Sequence, residues 1–228
     1  MSKFLLYNND AYKQIEILKE NNLIVNHIIT DPPYDISKNN NFSTLKNRKG
    51  IDFGDWDKNF DLYSWIPMYG ELIEKNGSFI IFCSYRFISY ICDCLEESGF
   101  DIKDVIEWEK TNPMPRNTTR RYVQDKEYAV WSVKKNAKWT FNKSEDQKYL
   151  RSTFHYPIVQ GKERFNHPTQ KSIKLMEDII SIHTKPNDII LDPFMGTGTT
   201  GVAAVKLGRE FIGIEKEKKY FDIASNRF

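Results

Sequence analysis

The sequence predicts an α/β fold with a mainly parallel sheet of seven strands and an antiparallel hairpin at one edge of that sheet. Short apolar runs alternate with helix-length amphipathic segments, which is the pattern of strands joined by crossover helices. Two successive runs, around Lys103 and around Glu127, have no helical segment between them. Such a pair indicates a hairpin, which a parallel sheet accommodates at its edge.

Each element follows from its local pattern. The strands are predicted at 3–7, 25–30, 78–83, 103–108, 127–133, 189–191 and 211–214. The helices are predicted at 11–20, 62–72, 87–98, 171–182 and 199–207. Gly208 suits the C-terminal cap of the last helix. The polar stretches 35–60 and 134–166 are too long for ordinary connections, which points to functional loops.

The composition fits one globular domain spanning residues 1–228, since 40% of the 228 residues are hydrophobic and 28% are charged. No run approaches the roughly 20 apolar residues of a membrane span, and no signal-like apolar block follows Met1. We therefore expect a cytoplasmic protein without a membrane partner. The three cysteines lack the spacing of zinc ligands, so we expect no metal site.

Basic residues are concentrated in three segments, 38–49, 110–121 and 134–151. Together these segments carry a net charge of +12, whereas the whole chain carries +2, which leaves −10 on the rest. Each segment alone is typical of a solvated loop. Three of them, with aromatic, Asn and Thr residues interspersed, favour a polyanionic partner, and we expect a nucleic acid.

A glycine-rich turn between a strand and a helix marks a candidate nucleotide site. Gly196 and Gly198 allow a ligand to approach the backbone closely, and Thr199 or Thr200 can cap the next helix. Glu215 ends the following strand, where dinucleotide-binding folds hold a ribose. The segment lacks both the full dinucleotide glycine pattern and a P-loop lysine, which favours an adenosine ligand without a polyphosphate. The alternative is that the glycines only shape a turn and Glu215 lies at the surface.

The tetrad Asp31-Pro32-Pro33-Tyr34 ends a predicted strand at the same edge of the sheet. The prolines stiffen the loop and donate no N–H, which leaves carbonyl groups free as acceptors. Asp31 and the Pro32 carbonyl can each accept a hydrogen bond from an exocyclic amino group and turn its lone pair toward an electrophile. Tyr34 offers a ring on which a base can stack. Taken alone, the tetrad could also be a rigid turn with a surface tyrosine.

Together with Asp192-Pro193-Phe194-Met195-Gly196-Thr197-Gly198-Thr199, the tetrad resembles the motifs of amino-methylating DNA methyltransferases. The catalytic motif precedes the cofactor motif, which is the circularly permuted order of their β class. His167-Pro168-Thr169-Gln170-Lys171-Ser172 is similar to the cofactor-side motif of that class, with serine where the family more often has proline. Asn9-Asp10-Ala11 is similar to its adenine-contacting element, with Asn in place of Gly.

The resemblance covers nearly the whole chain, and it implies a Rossmann-like fold that depends on S-adenosylmethionine (SAM). It points to small bacterial N6-adenine methylases of restriction–modification systems. Asp31, Pro32, Pro33 and Tyr34 would then be catalytic: a flipped adenine stacks on Tyr34, and its N6 attacks the sulfonium methyl in line. Asp31 would orient the amino group and stabilise developing positive charge.

The same resemblance implies a set of cofactor-binding residues. They are Asp10, Ala11, Asp31, His167, Lys171, Asp192, Phe194, Gly196, Gly198, Thr199, Thr200 and Glu215. Asp10 and Ala11 would contact the adenine of the cofactor and Glu215 its ribose. His167 and Lys171 would lie near its methionine carboxylate.

Double-stranded DNA is the partner that the resemblance implies. We expect the loop 35–60 to be a mobile lid and 134–166 to be the target-recognition region. The candidate DNA-binding residues are Lys46, Arg48, Lys49, Arg116, Asn117, Arg120, Arg121 and Lys138. A cognate restriction endonuclease, a second methylase and a homodimer remain open.

Three other functions are compatible with the same residues. Methylation of cytosine N4 is one, although family members that act there usually carry Ser at the first tetrad position. Methylation of an RNA adenine is another, although Asn is more frequent at that position in enzymes acting on structured RNA. The third is a module that binds adenosine or DNA without catalysis, and the intact Asp31 and Tyr34 argue against it.

Overall fold

The computed structural model describes residues 3–33, 60–115, 118–161, 164–165 and 170–228. Strands β1 to β8 are Phe4–Asn8, Val25–Thr30, Ile73–Cys83, Phe100–Lys110, Lys126–Lys134, Thr153–Tyr156, Ile189–Asp192 and Glu210–Glu215. Helices α1 to α6 are Ala11–Glu20, Trp65–Gly70, Ile88–Glu97, Ile173–His183, Thr199–Lys206 and Lys218–Ser225. A 3₁₀ turn, Tyr85–Phe87, precedes α3.

The strands form one sheet in the order β1-β8-β7-β2-β3-β5-β4-β6. All neighbours in it are parallel except β3/β5 and β5/β4. The prediction of a mainly parallel sheet with a β4–β5 hairpin is confirmed. The described sheet has eight strands rather than seven, because β6 pairs in parallel with β4. The predicted edge position of the hairpin is therefore wrong, since β6 forms the edge beside it. β6 has only four residues inside a polar stretch, so its pattern is too short to recognise in the sequence.

The helices depart from the sequence prediction mainly at α2 and α6. α2 begins only at Trp65, since the Asp61 carboxylate accepts hydrogen bonds from the N–H groups of Tyr63 and Ser64 and holds a turn there. The sequence does not predict α6, an eight-residue helix that is shorter than the window over which a helical pattern is recognised. Gly208 has a φ of +77° just after α5, as its predicted capping role requires. Across the described ranges, no helix is long and apolar enough to cross a bilayer.

The helices cover both faces of the sheet. The connection from β1 to β2 runs across the sheet in the opposite direction to that from β7 to β8, so right-handed crossovers place α1 and α5 on opposite faces. α2 and α3 continue the α1 layer, while α4 and α6 pack beside α5. Between the layers, Ile28 and Ile29 of β2 and Phe79 and Ile80 of β3 are fully buried. This double cover leaves the ends of the strands as the place where polar site residues can collect.

Candidate active site

The predicted catalytic and cofactor-binding residues that the structure describes collect where β1, β8, β7, β2 and β3 end, an edge of the sheet that we call the carboxyl edge. β2 and β7 are parallel neighbours, with Ile28 opposite Leu191. Asp31 and the glycine turn after Asp192 therefore face the same cleft, as the sequence predicts. The Thr30 hydroxyl donates a hydrogen bond of 2.6 Å to Asp192 Oδ1 and ties the two strand ends together.

The glycine turn has a backbone conformation that glycine adopts easily. Gly196 and Gly198 have φ values of +53° and +79°. The Gly196 N–H donates to Glu215 Oε2 at 2.9 Å, and the Phe194 N–H donates to Asp192 Oδ1 at 3.1 Å. The turn is thus held by the two carboxyl groups at the ends of β7 and β8.

The start of α5 differs from the sequence prediction. Its N-cap is Gly198 and has no side-chain capping bond, whereas the sequence favours a threonine cap from Thr199 or Thr200. Both threonines are instead the first residues of the helix and are buried. Arg227 donates to the Thr197 carbonyl at 2.6 Å and to Thr199 Oγ1 at 3.3 Å. The Thr199 hydroxyl therefore contacts the C-terminal segment, a partner that the motif does not indicate.

Asp192 is a buried carboxyl group whose oxygens are engaged by the protein itself. Burial raises its pKa to about 6, although hydrogen bonds from the Thr30 and Thr200 side chains and the Phe194 N–H oppose the rise. The nearby carboxylate of Asp31 adds to the upward shift. Asp192 therefore shapes the glycine turn as well as contributing negative charge beside it.

Glu215 lies at the end of β8, opposite Asn8 at the end of β1. Its Oε1 accepts the Glu217 N–H at 2.7 Å, and its Oε2 accepts the N–H of Gly196. Burial raises the pKa of Glu215 to about 7, although these two N–H groups lower it. In its ionised form this carboxylate can accept hydrogen bonds from a vicinal diol such as that of ribose.

Asp10 and Ala11 lie beside Glu215 at the start of α1. Asp10 is the N-cap: its Oδ1 accepts the Tyr12 N–H at 3.0 Å, and its Oδ2 lies 3.0 Å from Lys216 Nζ. The carbonyl of the buried Ala11 accepts a hydrogen bond of 2.8 Å from the Tyr69 hydroxyl. The sequence motif identifies Asp10 and Ala11. It does not identify Lys216 and Tyr69, which contact them from distant segments of the chain.

Aromatic rings pack together next to the glycine turn. The Phe194 ring makes edge contacts with Trp65 at 5.0 Å and Phe60 at 5.3 Å between centroids. Trp65 is fully buried, whereas Phe194 is half-buried. The site thus has an apolar wall on one side of the turn and carboxyl groups on the other.

The Asp31 carboxylate is paired with Lys171. Lys171 Nζ lies 2.5 Å from Asp31 Oδ2 and 2.9 Å from Glu127 Oε2, and Glu127 Oε1 lies 2.6 Å from Lys110 Nζ. The resemblance in sequence places Lys171 beside a methionine carboxylate. In the structure its ammonium group lies between two carboxylates of the protein. Glu127 and Lys110 belong to the β4–β5 hairpin, and no motif in the sequence links them to the tetrad.

Comparison with known proteins identifies the family. A family model described as DNA methylase matches residues 25–226. The chain belongs to this family of DNA methylases. The Type II methyltransferase M2.DpnII of Streptococcus pneumoniae is 35% identical over 99% of this chain and 90% of that protein. The corresponding figures for M2.LlaDCHI of Lactococcus lactis subsp. cremoris are 34%, 98% and 88%.

Solved structures extend the likeness of this DNA methylase to three dimensions. The crystal structure of an M1.HpyAVI–SAM complex is 53% identical, covers 98% of both chains and superposes with a TM-score of 0.84. The cytosine-N4-specific PvuII DNA methyltransferase covers 100% of this chain and 87% of its own, with a TM-score of 0.73. At 18% identity, the second likeness shows a shared fold only.

Several predicted site residues of this methylase lie outside the described residues. They are Tyr34, Lys46, Arg48, Lys49, Arg116, Asn117 and His167. The predicted lid 35–60 also lies outside them, apart from Phe60. The roles assigned to these residues therefore stay predictions.

The structure separates the other candidate DNA-binding residues. Arg120 and Arg121 are exposed in the connection between β4 and β5, which lies at the carboxyl edge. Lys138 follows β5 at the opposite edge of the sheet, where its N–H donates to Asn76 Oδ1 at 2.9 Å. The fold therefore brings Arg120 and Arg121 to the active site edge and does not bring Lys138 there.

The predicted target-recognition region 134–166 also divides between the two edges. Before β6 the chain lies away from Asp31, where Asn142 donates to the carbonyls of Ser181 and Thr184 at the C-terminal end of α4. β6 runs parallel to β4 and returns the chain to the carboxyl edge. There the Ile158 N–H donates to Asn112 Oδ1 at 2.6 Å. Among the described residues of this region, the end of β6 and the part that follows it lie near the β4–β5 connection.

Proposed function

We propose that this DNA methylase uses SAM to methylate N6 of adenine in DNA. The observation that carries the proposal is the position of Asp31, followed by Pro32 and Pro33, beside the glycine turn and Glu215 at one edge of the sheet. The family supplies the substrate class, and the likeness to M1.HpyAVI, solved with SAM, supports the cofactor.

The residues at the cofactor end suit a nucleoside without phosphates. Glu215, Asp192 and Asp10 place three carboxyl groups there, and negative charge disfavours a phosphate while it suits ribose hydroxyls and a sulfonium cation. The glycine turn allows close approach to the backbone and contains no lysine. The Phe194 ring beside it supplies an apolar surface for a nucleoside.

When bound, SAM supplies an electrophilic methyl group on its sulfonium. The task of the protein is to aim the amino nitrogen at that methyl group. Asp31 and the Pro32 carbonyl accept hydrogen bonds from the amino group, and the two prolines hold these acceptors rigidly. Ionised Asp31 also stabilises the positive charge that develops on the nitrogen. The methylated amino group is strongly acidic, so it loses a proton without a strong base.

DNA would lie across the carboxyl edge. Arg120 and Arg121 supply positive charge there, and Arg86 adds a third cation in the turn after β3. Tyr85, 58% exposed, lies under the Arg86 guanidinium, 5.8 Å from ring centroid to Cζ, and Tyr122 is 95% exposed. Cations beside exposed rings suit phosphate contacts and base stacking. Tyr34 and the lid would complete this surface.

Two segments of the carboxyl edge are candidates for recognising the DNA sequence. The β4–β5 connection and residues 157–161 are tied together at the carboxyl edge, which makes them the described segments best placed to read bases. A cognate endonuclease, a second methylase and a homodimer stay predictions. Light scattering of the purified protein would test the homodimer.

The experiment is incubation of the purified protein with tritiated SAM and unmethylated double-stranded DNA, with structured RNA in a parallel reaction. Mass spectrometry of the nucleosides then identifies the methylated base. The proposal predicts N6-methyladenine in DNA alone. Detection of N4-methylcytosine would show that the target base is cytosine, and methylated RNA would show that the substrate is RNA. No methyl transfer to DNA or RNA would favour a binding module without catalysis.

A further inference from the structure

A buried lysine lies between the Asp31 carboxylate and a second carboxylate. The Lys171 side chain is 5% exposed, and its Nζ is 2.5 Å from Asp31 Oδ2 and 2.9 Å from Glu127 Oε2. Glu127 Oε1 is 2.6 Å from Lys110 Nζ. The Lys171 ammonium also lies 5.1 Å from the centroid of the Phe82 ring. We call Asp31, Lys171, Glu127 and Lys110 the lysine–carboxylate chain.

Strands hold two members of the lysine–carboxylate chain, and a third directly follows a strand. Glu127 lies in β5 opposite Trp108 of β4, and Lys110 ends β4. Asp31 directly follows β2, on the other side of β3. The lysine–carboxylate chain therefore connects the hairpin to the catalytic strand end, and groups held by strands keep a more constant geometry than groups held by loops.

Negative and positive charges alternate along the lysine–carboxylate chain. Burial alone would lower the pKa of Lys171, but Asp31 and Glu127 outweigh it and raise the pKa well above its ordinary value. Burial would likewise raise the pKa of Glu127, but Lys171 and Lys110 bring it down to about 2. Both groups therefore stay charged at neutral pH, and two cations balance two anions.

Stability alone is a weak reason for such an arrangement. A buried ion network often stabilises a fold no more than apolar residues of the same volume, because removing its charges from water is costly. A fixed cation beside a catalytic carboxylate has a different consequence. It selects one orientation of the carboxylate and keeps it ionised.

We infer that Lys171 is a positioning residue that holds Asp31 in the orientation that receives the amino group, and that Glu127, anchored by Lys110, holds Lys171. The inference rests on the proposed methyltransferase function. It departs from a role for Lys171 in binding the methionine carboxylate, since its ammonium group is already shared by two carboxylates of the protein. Loss of positioning lowers kcat, whereas loss of a cofactor contact raises the Kd for SAM.

The test compares Lys171→Met, Glu127→Gln and the double variant with wild type in single-turnover methylation of DNA, with the Kd for SAM from calorimetry. Lys174→Met is the matched control, since Lys174 is 69% exposed and three residues further along the chain. The double variant removes one charge of each sign. It therefore avoids the unbalanced buried carboxylate that could unfold Lys171→Met.

We expect Lys171→Met and the double variant to lose about 100-fold in rate, with the Kd for SAM within about threefold of wild type. Asp192 and Cys83 also face Asp31 and are unchanged in both variants. Relative to wild type, the acid limb of the rate–pH profile should move to higher pH in Lys171→Met, which removes the cation beside Asp31, and to lower pH in Glu127→Gln, which leaves that cation to Asp31 alone. If Lys171 and Glu127 had a purely structural role, the acid limb would not shift in opposite directions in these two variants.

A Kd for SAM raised about tenfold with an unchanged rate would overturn the inference and assign Lys171 to the cofactor. Wild-type rates in the double variant would overturn it as well. Failure of the wild-type protein to methylate DNA would remove the proposed function and the inference with it. That result is distinguishable from a failure of the inference alone, because the wild-type protein is assayed before any variant.

Discussion

Thr30 donates its hydroxyl hydrogen to Asp192 over 2.6 Å, so the strand end that carries Asp31 and the strand end that carries the glycine turn are bonded side chain to side chain. Both residues are buried. The bond fixes the separation between the part of the site that holds the cofactor and the part that orients the amine. A small shift between these parts would misalign the reacting atoms.

Replacing Thr30 with Val keeps the shape of the side chain but removes the donor to Asp192. We expect the free energy of unfolding to fall by about 1–3 kcal/mol, because a buried carboxyl oxygen loses a partner. Urea unfolding measures this change. Thr119→Val, at an exposed position of the β4–β5 connection, is the control and should change stability by less than about 0.5 kcal/mol. Equal stability of the two variants would show that the bond contributes nothing.

Affinity for SAM should depend on pH through Glu215. Its pKa of about 7 in the free protein means that protons compete with the ribose hydroxyls for the carboxylate. The Kd should be nearly constant above this value and should rise about tenfold for each pH unit well below it. Calorimetric titrations between about pH 8 and about pH 5.5 would show this. Glu215→Gln should bind more weakly and lose the part of the dependence centred near pH 7. If the Kd of Glu215→Gln for SAM showed the same pH dependence as wild type, that dependence would belong to another titratable group.

His183 should make the fold sensitive to acid. Burial between Trp131 and Phe141 lowers its pKa to about 3 from 6.5, and among the described residues its Nδ1 has no hydrogen-bond partner. The unfolded chain therefore binds a proton below pH 6.5 that the folded protein takes up only near pH 3. The contribution of His183 to stability is complete above pH 6.5 and is lost as the pH falls, by up to about 1.4 kcal/mol per pH unit.

The variant His183→Phe isolates this effect from that of the carboxylates. It should retain the ring contacts and show a smaller loss of melting temperature between about pH 7 and about pH 5 than wild type does. Identical losses in the two proteins would mean that His183 does not titrate as its burial requires.

DNA affinity should distinguish the two edges of the sheet. The double variant Arg120→Ala/Arg121→Ala should bind duplex DNA more weakly, and the slope of log K against log salt should fall by about 2, since two phosphate contacts are lost. Lys138→Ala is the control, because Lys138 lies at the opposite edge. Fluorescence anisotropy over a range of salt concentrations would test this. An equal effect of Lys138→Ala would place DNA on a different surface.

The sequence identifies the parts of the site whose signal is local. Asp31 and Asp192 each follow an apolar strand pattern, and the conformation of the glycine turn follows from residue types. The partners of these residues could not be predicted, because tertiary packing sets them. Lys171 and Asp31 are 140 positions apart, and Arg227 reaches the glycine turn from the segment that follows α6. For the same reason β6 escapes detection: pairing with β4 stabilises it, and four residues carry too little pattern.

The most direct test of the central claim is a comparison of wild type and Asp31→Asn, with N6-methyladenine in DNA measured by mass spectrometry and the Kd for SAM measured on the same preparations. Asn keeps the size of the side chain and one acceptor but loses the negative charge. We predict that wild type forms N6-methyladenine and that Asp31→Asn loses at least about 100-fold in rate with a nearly unchanged Kd. Equal yields of N6-methyladenine from the two proteins would contradict the role given to Asp31.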